Sequence, residues 1–158
     1  MAFRREVFAR IGTFDPALDV GTPTGGGGDI EMFHRLVARG FTLIYEPSAL
    51  VWHQHRRGSA DLRRLVFNNG RTMGAFLLTC ARHHTDGRLA LLSFFTRQWL
   101  RWWLLRRLVR PAGYPRHLVA IELLGTLLSP IFYLAAQTRG AAHADRMRSH
   151  GGLQGVAP

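Results

Sequence analysis

The chain has 158 residues, of which 47% are hydrophobic, and its formal net charge is +11 at pH 7. That hydrophobic fraction supports one ordinary core and excludes an intrinsically disordered chain, while the single cysteine excludes an intramolecular disulfide. Residues 1–55 carry a net charge of −1 (five arginines, six acidic residues) and residues 56–158 carry +12 (sixteen arginines, four acidic residues), so the second part favours an anionic contact.

The first predicted elements are short. Residues 1–11 alternate enough to offer a short strand and then a helical turn. Residues 12–16 predict a turn, because Pro16 disfavours helical geometry at Asp15. Phe14 suits core packing, and Asp15 suits capping of the turn that follows.

Four glycines, residues 25–28, precede a helix predicted at residues 30–39. Glycine leaves the backbone free to pass close to a ligand or to move over one. Asp29 occupies the position of an N-cap, and Glu31 stands four residues before Arg35, the favourable order for an intrahelical ion pair. From these residues alone the structural interpretation is favoured, in which Asp29 caps the helix and Glu31 pairs with Arg35.

The middle of the chain predicts two extended segments and a long helix. Residues 41–45 are rich in aromatic and β-branched side chains and predict a strand, and residues 49–53 predict a second extended run. A helix is predicted over residues 59–83, with a candidate break at residues 69–70. Cys80 is interpreted as a core residue, because the cysteine and histidine residues near it are too few for a closed zinc site.

Residues 89–110 combine tryptophan and arginine at high density. Their longest uncharged stretch is too short to cross a bilayer. Tryptophan rings and long arginine side chains are both satisfied among lipid headgroups, which favours a membrane surface. The alternative is a helix packed on the rest of the protein with its arginines in solvent.

The last apolar segment is residues 118–137, in which Glu122 is the only formal charge. Glu122, Gly125 and Pro130 favour a broken helix, packed shallowly in the membrane or against the preceding helix. Residues 140–158 predict a disordered tail.

Six short motifs occur in order along residues 1–57. They are MAFRR at residue 1, GTFD at 12, GDIEM at 28, RGF at 39, YEP at 45 and VWH at 51. The series resembles the second half of the catalytic domain of family-2 glycosyltransferases, which have the GT-A fold. The resemblance implies an α/β fold, with a partial GT-A, Rossmann-like half-domain at residues 1–57 whose nucleotide-binding half is absent. Residues 58–139 resemble, more loosely, the helical extension of membrane-associated members.

The resemblance also implies an activity, which is inverting transfer of a sugar from a nucleotide-sugar donor to an acceptor hydroxyl in cell-envelope or polysaccharide synthesis. Asp29 is implied to be the general base, supported by Glu31 and Arg35. The implied acceptor side comprises Phe14, Asp15, Gly27 and Gly28. The residues implied to face the diphosphate and a divalent metal, Mg²⁺ or Mn²⁺, are His53, Arg56 and Arg57. The family usually has Glu-Asp where this chain has Gly28-Asp29, so any role of that glutamate is lost while the base is retained.

The implied partners are the nucleotide sugar, a glycan or lipid-linked acceptor and an anionic membrane surface at the cytoplasmic face of the cell membrane. The chain alone is expected to be inactive, because the donor half is absent, and its oligomeric state is left open. One alternative is a non-catalytic membrane-surface module left by truncation. Another is a nucleic-acid binder, which the net charge favours but for which no recognisable module is present, so nucleic acid is not an expected partner.

Overall fold

The computed structural model of the protein describes residues 1–52, 58–83, 88–109 and 113–151, with residues 141–151 described by their backbone alone. These residues are mostly helical. After α1 (Arg5–Ile11) come a 3₁₀ turn (Pro16–Leu18), α2 (Gly28–Ala38) and α3 (Ser59–His83). Next come α4 (Arg88–Phe94), a π-helical segment (Phe95–Leu105) and α5 (Arg106–Val109), which follow one another directly, and then α6 (Arg116–Gly151).

No β-strand occurs in the described part of the chain, so the expected α/β fold with a partial GT-A half-domain is wrong. Residues 41–46, which include the expected strand, have no regular secondary structure, and Leu43, Ile44 and Tyr45 are 46%, 81% and 87% exposed. A strand needs a neighbour to take up its backbone N–H and C=O groups, and no described segment pairs with this one. Strand propensity measures how well side chains fit a half-buried sheet, so composition alone did not determine the outcome.

The predicted helices in the first half of the described chain are confirmed. α2 begins two residues before the predicted start and ends one residue before the predicted end, and α3 has the predicted bounds. The candidate break at residues 69–70 is wrong, because α3 continues through it. The reason lies in how α3 packs against α6.

α3 and α6 form a close parallel pair. Gly125 of α6 lies against the carbonyl of Phe67, and further along both helices Arg82 donates to Gln137 Oε1 at 3.1 Å. Both helices therefore run in the same direction along their contact, which we call the α3–α6 seam. The largest share of the contacts between described elements is made there.

Glycine residues make the α3–α6 seam tight. A Cβ atom at Gly70 or Gly74 of α3, or at Gly125 of α6, would overlap atoms of the opposite helix. Across the seam Thr126 Oγ1 donates to the carbonyl of Gly70 at 3.1 Å. Small residues four positions apart let two helix backbones approach closely, and Gly70 and Gly74 have this spacing.

α6 is continuous where a broken helix was expected. Pro130 lies inside it and has no N–H to donate to the carbonyl of Thr126. Ser129 Oγ donates to that carbonyl at 2.7 Å instead. The backbone of α6 also continues to Gly151, so residues 140–151 are helical where a disordered tail was expected, and residues 152–158 lie outside the described part.

Three clusters of buried side chains hold the described elements together. The first, around Val7, Met32 and Leu36, joins α1 to α2 through several phenylalanine rings. A second places Leu18 of the 3₁₀ turn against Ala75 of α3 and Tyr133 of α6. The third is formed by Trp99, Leu104 and Val119, and it packs the π-helical segment against the start of α6.

α6 also presents an apolar face that no described residue covers. The stretch Arg116–Gly140 is long and apolar enough to associate with a membrane. Leu124, Leu127, Ile131 and Leu134 are spaced by three or four residues and are 51%, 74%, 64% and 59% exposed. They therefore lie along one side of the helix, which we call the outer face of α6.

Candidate functional site

The glycine turn that precedes α2 is held against α3. Gly25, Gly26 and Gly27 have φ angles of 83°, 138° and 106°, which side chains with a Cβ rarely adopt. A Cβ at Gly25 would lie 2.6 Å from Arg71 Nη2, and one at Gly27 would lie 2.9 Å from Thr72 Cγ2. Gly25 and Gly27 are therefore needed for a close approach to α3, and Gly27 is accounted for without a ligand.

Asp29 is exposed on the first turn of α2. The predicted N-cap position of Asp29 is wrong, because Gly27 is the N-cap and Asp29 is the second residue of the helix. Its Oδ1 accepts a hydrogen bond from the backbone N–H of Ile30 at 2.9 Å. The helix dipole favours a carboxylate at this position. Asp29 is thus a solvent-accessible carboxylate on a fixed helix end.

The predicted ion pair between Glu31 and Arg35 is confirmed, and it is buried. Arg35 Nη2 lies 2.7 Å from Glu31 Oε2, with the two side chains 14% and 3% exposed. Arg35 also donates to the carbonyl of Ile11 at 2.7 Å and to that of Thr13 at 2.9 Å. The pair therefore fastens α2 to the segment between α1 and the 3₁₀ turn.

Glu31 and Asp29 lie on different sides of α2. Two residues along an α-helix differ by about 200° of rotation, which explains why Glu31 is buried while Asp29 is exposed. Any support that Glu31 and Arg35 give to Asp29 acts through the position of the whole helix.

Cys80 is a core residue, as predicted, with no exposed surface. Its Sγ lies 3.6 Å from His34 Nδ1. Burial raises the pKa of the thiol to about 12, with a further contribution from the negative charge of Glu31. Cys80 is therefore a poor nucleophile at neutral pH.

Phe14 and Asp15 have structural roles. Phe14 packs in the cluster between α1 and α2, with its ring centroid 5.7 Å from that of Phe3. Asp15 Oδ1 accepts from the N–H of Ala17 at 2.9 Å and caps the 3₁₀ turn, which confirms the capping prediction. Gly28 lies against Phe14 and Leu18. Of the four residues assigned to the acceptor side, none is left without a structural explanation.

A polar cavity of about 390 Å³ lies on the buried side of α2. Its lining includes Asp15, Glu31, Arg35 and Thr79. Thr79 Oγ1 and Arg35 Nε are buried there and have no hydrogen-bond partner in the described part of the chain. This cavity does not include Asp29.

The residues assigned to the metal and diphosphate, His53, Arg56 and Arg57, lie outside the described residues. Within the described ranges, no group of three histidine, cysteine, aspartate or glutamate side chains is placed to hold a metal ion.

A second cavity, on the side of α2 where Ile30 lies, was not foreseen from the sequence. Trp99 and Trp103 of the π-helical segment and Glu122 of α6 meet there. The sequence marked the tryptophans and Glu122 as unusual, but only the packing of α6 against the π-helical segment brings them together.

Comparison with known proteins gives no neighbour for this chain. No protein-family model matches the sequence, and neither a curated protein nor a solved structure matches it.

Proposed function

We propose that the chain is part of a nucleotide-sugar-dependent glycosyltransferase of the family-2 kind, with Asp29 as the base that takes the proton of the acceptor hydroxyl. Two observations support this proposal. The six motifs of residues 1–57 occur in the family's order, and Asp29 is an exposed carboxylate on the first turn of α2. The position of Asp29 carries the proposal, since a base must be reachable by its substrate.

In the proposed reaction Asp29 performs one step, which is removal of the proton from the acceptor hydroxyl. In an inverting transfer the acceptor oxygen forms a bond to the anomeric carbon while the bond from that carbon to the diphosphate oxygen breaks. The acceptor hydroxyl becomes more acidic as its oxygen bonds, and Asp29 takes the proton. The nucleoside diphosphate leaves with the electron pair of the broken bond. Glu31 and Arg35 contribute by fixing α2, and with it Asp29, against α1.

The described residues do not include groups assigned to bind the nucleotide-sugar donor or to stabilise the departing diphosphate. They present no metal-ligand group, so we derive no step through Mg²⁺ or Mn²⁺ from them. Donor binding and stabilisation of the departing diphosphate are assigned to other parts of the enzyme.

The membrane is the proposed place of action. α6 is long and apolar enough to be membrane-associated, and its outer face is exposed. On the π-helical segment, Trp102 and Trp103 are exposed beside arginines, with the guanidinium carbon of Arg106 4.7 Å from the Trp102 ring centroid. Such pairs suit anionic headgroups. We propose the cytoplasmic face of the membrane, because a chain with a single cysteine and no intramolecular disulfide suits a reducing compartment.

The test is Asp29→Asn in the gene product assayed in cell membranes with a panel of radiolabelled nucleotide sugars. Asparagine keeps the size of the side chain but cannot take the proton, so transfer is expected to fall by about 10²–10⁴. Asp19→Asn is the matched control, because Asp19 is an exposed aspartate that lines neither cavity.

The free energy of unfolding of the variants distinguishes a role of Asp29 as the base from a purely structural role. Both variants are expected to unfold within about 0.5 kcal/mol of the wild type, as surface substitutions usually do. Near-wild-type transfer by a folded Asp29→Asn protein would remove Asp29 from the mechanism. If no nucleotide sugar is used by the wild type while acidic liposomes are bound, the non-catalytic membrane module becomes the better description.

A further inference from the structure

A cleft of about 320 Å³ lies where four elements meet. The residues on which its chemistry depends are Ile30 of α2, Asn69 and Thr72 of α3, Trp99 and Trp103 of the π-helical segment, and Glu122 of α6. Its volume falls in the range of small-molecule sites, which are mostly apolar and carry a few placed polar groups. Asp29 precedes Ile30 on α2 but does not itself line the cleft.

The charge of the cleft lining disfavours an anionic ligand. Although every one of the 21 basic residues in the chain is arginine, none of the described residues that line the cleft is basic. Glu122 is the only charged residue among them. A phosphate, a nucleotide or an anionic lipid headgroup would meet the Glu122 carboxylate here, and the guanidinium of Arg107, which packs on the Trp103 ring, is not part of the lining.

The aromatic walls of the cleft are held in place. Trp99 is stacked on Phe95, with ring centroids 5.2 Å apart, and is 6% exposed. Trp103 donates its indole N–H to Glu122 Oε1 at 3.2 Å, and the guanidinium carbon of Arg107 lies 3.6 Å from its ring centroid. Trp103 is nevertheless 47% exposed. A fixed, half-exposed indole offers a ligand apolar surface without a cost for ordering it.

Polar groups stand beside this aromatic surface. Within the described residues, the side-chain amide of Asn69 and Glu122 Oε2 have no hydrogen-bond partner. The amide offers donors and an acceptor, and the carboxylate oxygen offers an acceptor. A purely apolar ligand, such as a lipid tail, would leave both of them unsatisfied.

We propose that this cleft binds a neutral pyranose sugar, with one face of the ring against Trp103 and its hydroxyls bonded to Asn69 and Glu122. A pyranose combines a rigid face of C–H bonds with hydroxyls at its rim, which is the combination that the lining provides. That the sugar belongs to the acceptor rests on the proposed function, in which Asp29 of the same helix α2 is the base.

The binding test uses the full chain and NMR of its four indole N–H groups. The probe is methyl β-D-glucopyranoside. Sorbitol supplies hydroxyls without a rigid apolar face, cyclohexanol supplies the face without the array of hydroxyls, and glucose 1-phosphate adds negative charge. We expect the largest shift at Trp103, a smaller one at Trp99, and none at Trp52 or Trp102, which do not line the cleft. Equal binding of sorbitol or cyclohexanol, or no saturable shift with the glucoside, would overturn the assignment.

Matched variants locate the site. Trp103→Leu is expected to weaken binding of the glucoside by about tenfold, since it removes the aromatic surface, whereas Trp102→Leu is expected to leave it unchanged. If Trp103→Leu does not fold, Asn69→Ala serves, because Asn69 is exposed on α3 and its loss is expected to weaken binding by roughly threefold. Binding that survives Trp103→Leu or Asn69→Ala at full strength counts against the cleft.

The same experiment separates this assignment from the proposed function, since it needs neither donor nor turnover. Asp19→Asn, at an exposed aspartate that lines neither cavity, is expected to bind the glucoside like the wild type. Transfer that depends on Asp29 without binding in the cleft would reject only the cleft. Binding in the cleft without any transfer by the gene product would reject only the glycosyltransferase.

Discussion

The hydroxyl of Ser129 donates to the backbone carbonyl of Thr126 at 2.7 Å, directly before Pro130. This carbonyl would otherwise lose its helical partner, because proline has no N–H. Ser129 also lies against Gly74 of α3, where a Cβ would overlap its Oγ. The same side chain therefore keeps α6 continuous and sets how closely α3 approaches it.

The α3–α6 seam predicts opposite effects for two glycine-to-alanine changes. Gly74→Ala places a methyl group where Ser129 lies and is expected to destabilise the fold by about 1–3 kcal/mol. Gly140→Ala is the matched control, because Gly140 has open space around it in α6, and it is expected to stabilise by roughly 0.5–1 kcal/mol. Urea unfolding followed by circular dichroism measures both. Equal effects of the two changes would contradict the close approach.

The two ion pairs of the first helices predict a contrast between buried and exposed charge. Glu31→Ala leaves Arg35 buried without its carboxylate and is expected to cost about 3–5 kcal/mol. Glu6→Ala breaks the exposed pair with Arg4, whose atoms are 3.7 Å apart, and is expected to cost about 0–1 kcal/mol. Thermal and urea unfolding of both variants make the comparison, and a cost of less than 1 kcal/mol at Glu31 would refute the role of the buried pair.

Cys80 predicts slow thiol chemistry in the folded protein. Since burial and Glu31 raise its pKa from 9.0 to about 12, the thiol is protonated and inaccessible at pH 8. Iodoacetamide is expected to react with it only after unfolding, as mass spectrometry of native and urea-treated samples would show. Rapid alkylation of the native protein at pH 8 would contradict its burial.

The raised pKa of Cys80 also makes the stability of the fold decrease at alkaline pH. Between pH 9 and 12 the unfolded state releases the proton of Cys80 while the folded state retains it. Because the unfolded state then binds fewer protons, the contribution of this group to stability falls as pH rises through that window. Cys80→Ser lacks this titration below pH 12, so it is expected to lose less stability than the wild type between pH 9 and 11.

The outer face of α6 predicts how the chain binds acidic liposomes. Leu127→Gln with Ile131→Gln replaces two exposed apolar side chains with good helix formers, and is expected to reduce the partition coefficient by at least about tenfold at low and high salt. Arg101→Gln with Arg106→Gln is the comparison, since it removes exposed charge and is expected to weaken binding only at low salt. Sedimentation at two salt concentrations distinguishes them. Unchanged binding by the Leu127 and Ile131 variant would exclude this face from the membrane contact.

How much the sequence predicted depends on how local each feature is. The bounds of α3 and the Glu31–Arg35 pair follow from spacing along one helix, and both predictions were confirmed. Asp29 is not the N-cap because α2 begins one residue before it, at Gly28, directly after Gly27 with its φ of 106°. The strand at residues 41–45 failed for a different reason, namely that no described segment lies beside it.

The cleft could not be predicted from the sequence, because the residues that line it are far apart in the chain. Asn69, Trp103 and Glu122 belong to three elements, and their meeting depends on how α6 packs on both the others. Continuity of α6 through Pro130 likewise depends on a hydrogen bond from the Ser129 hydroxyl to the Thr126 carbonyl. The sequence does not show which rotamer the serine adopts, and only one that points back along the helix makes this bond.

The tightness of the α3–α6 seam has a mechanical consequence. With glycines on both sides, the two helix backbones are in close contact, so we expect them to move together rather than slide or rotate past each other. Thr72 of α3 donates to the carbonyl of Thr24, which ties that body to the glycine turn before Asp29. Under the proposed membrane association, a tilt of α6 at a lipid surface would move α3 and the turn at Thr24 with it, and so would shift the position of Asp29.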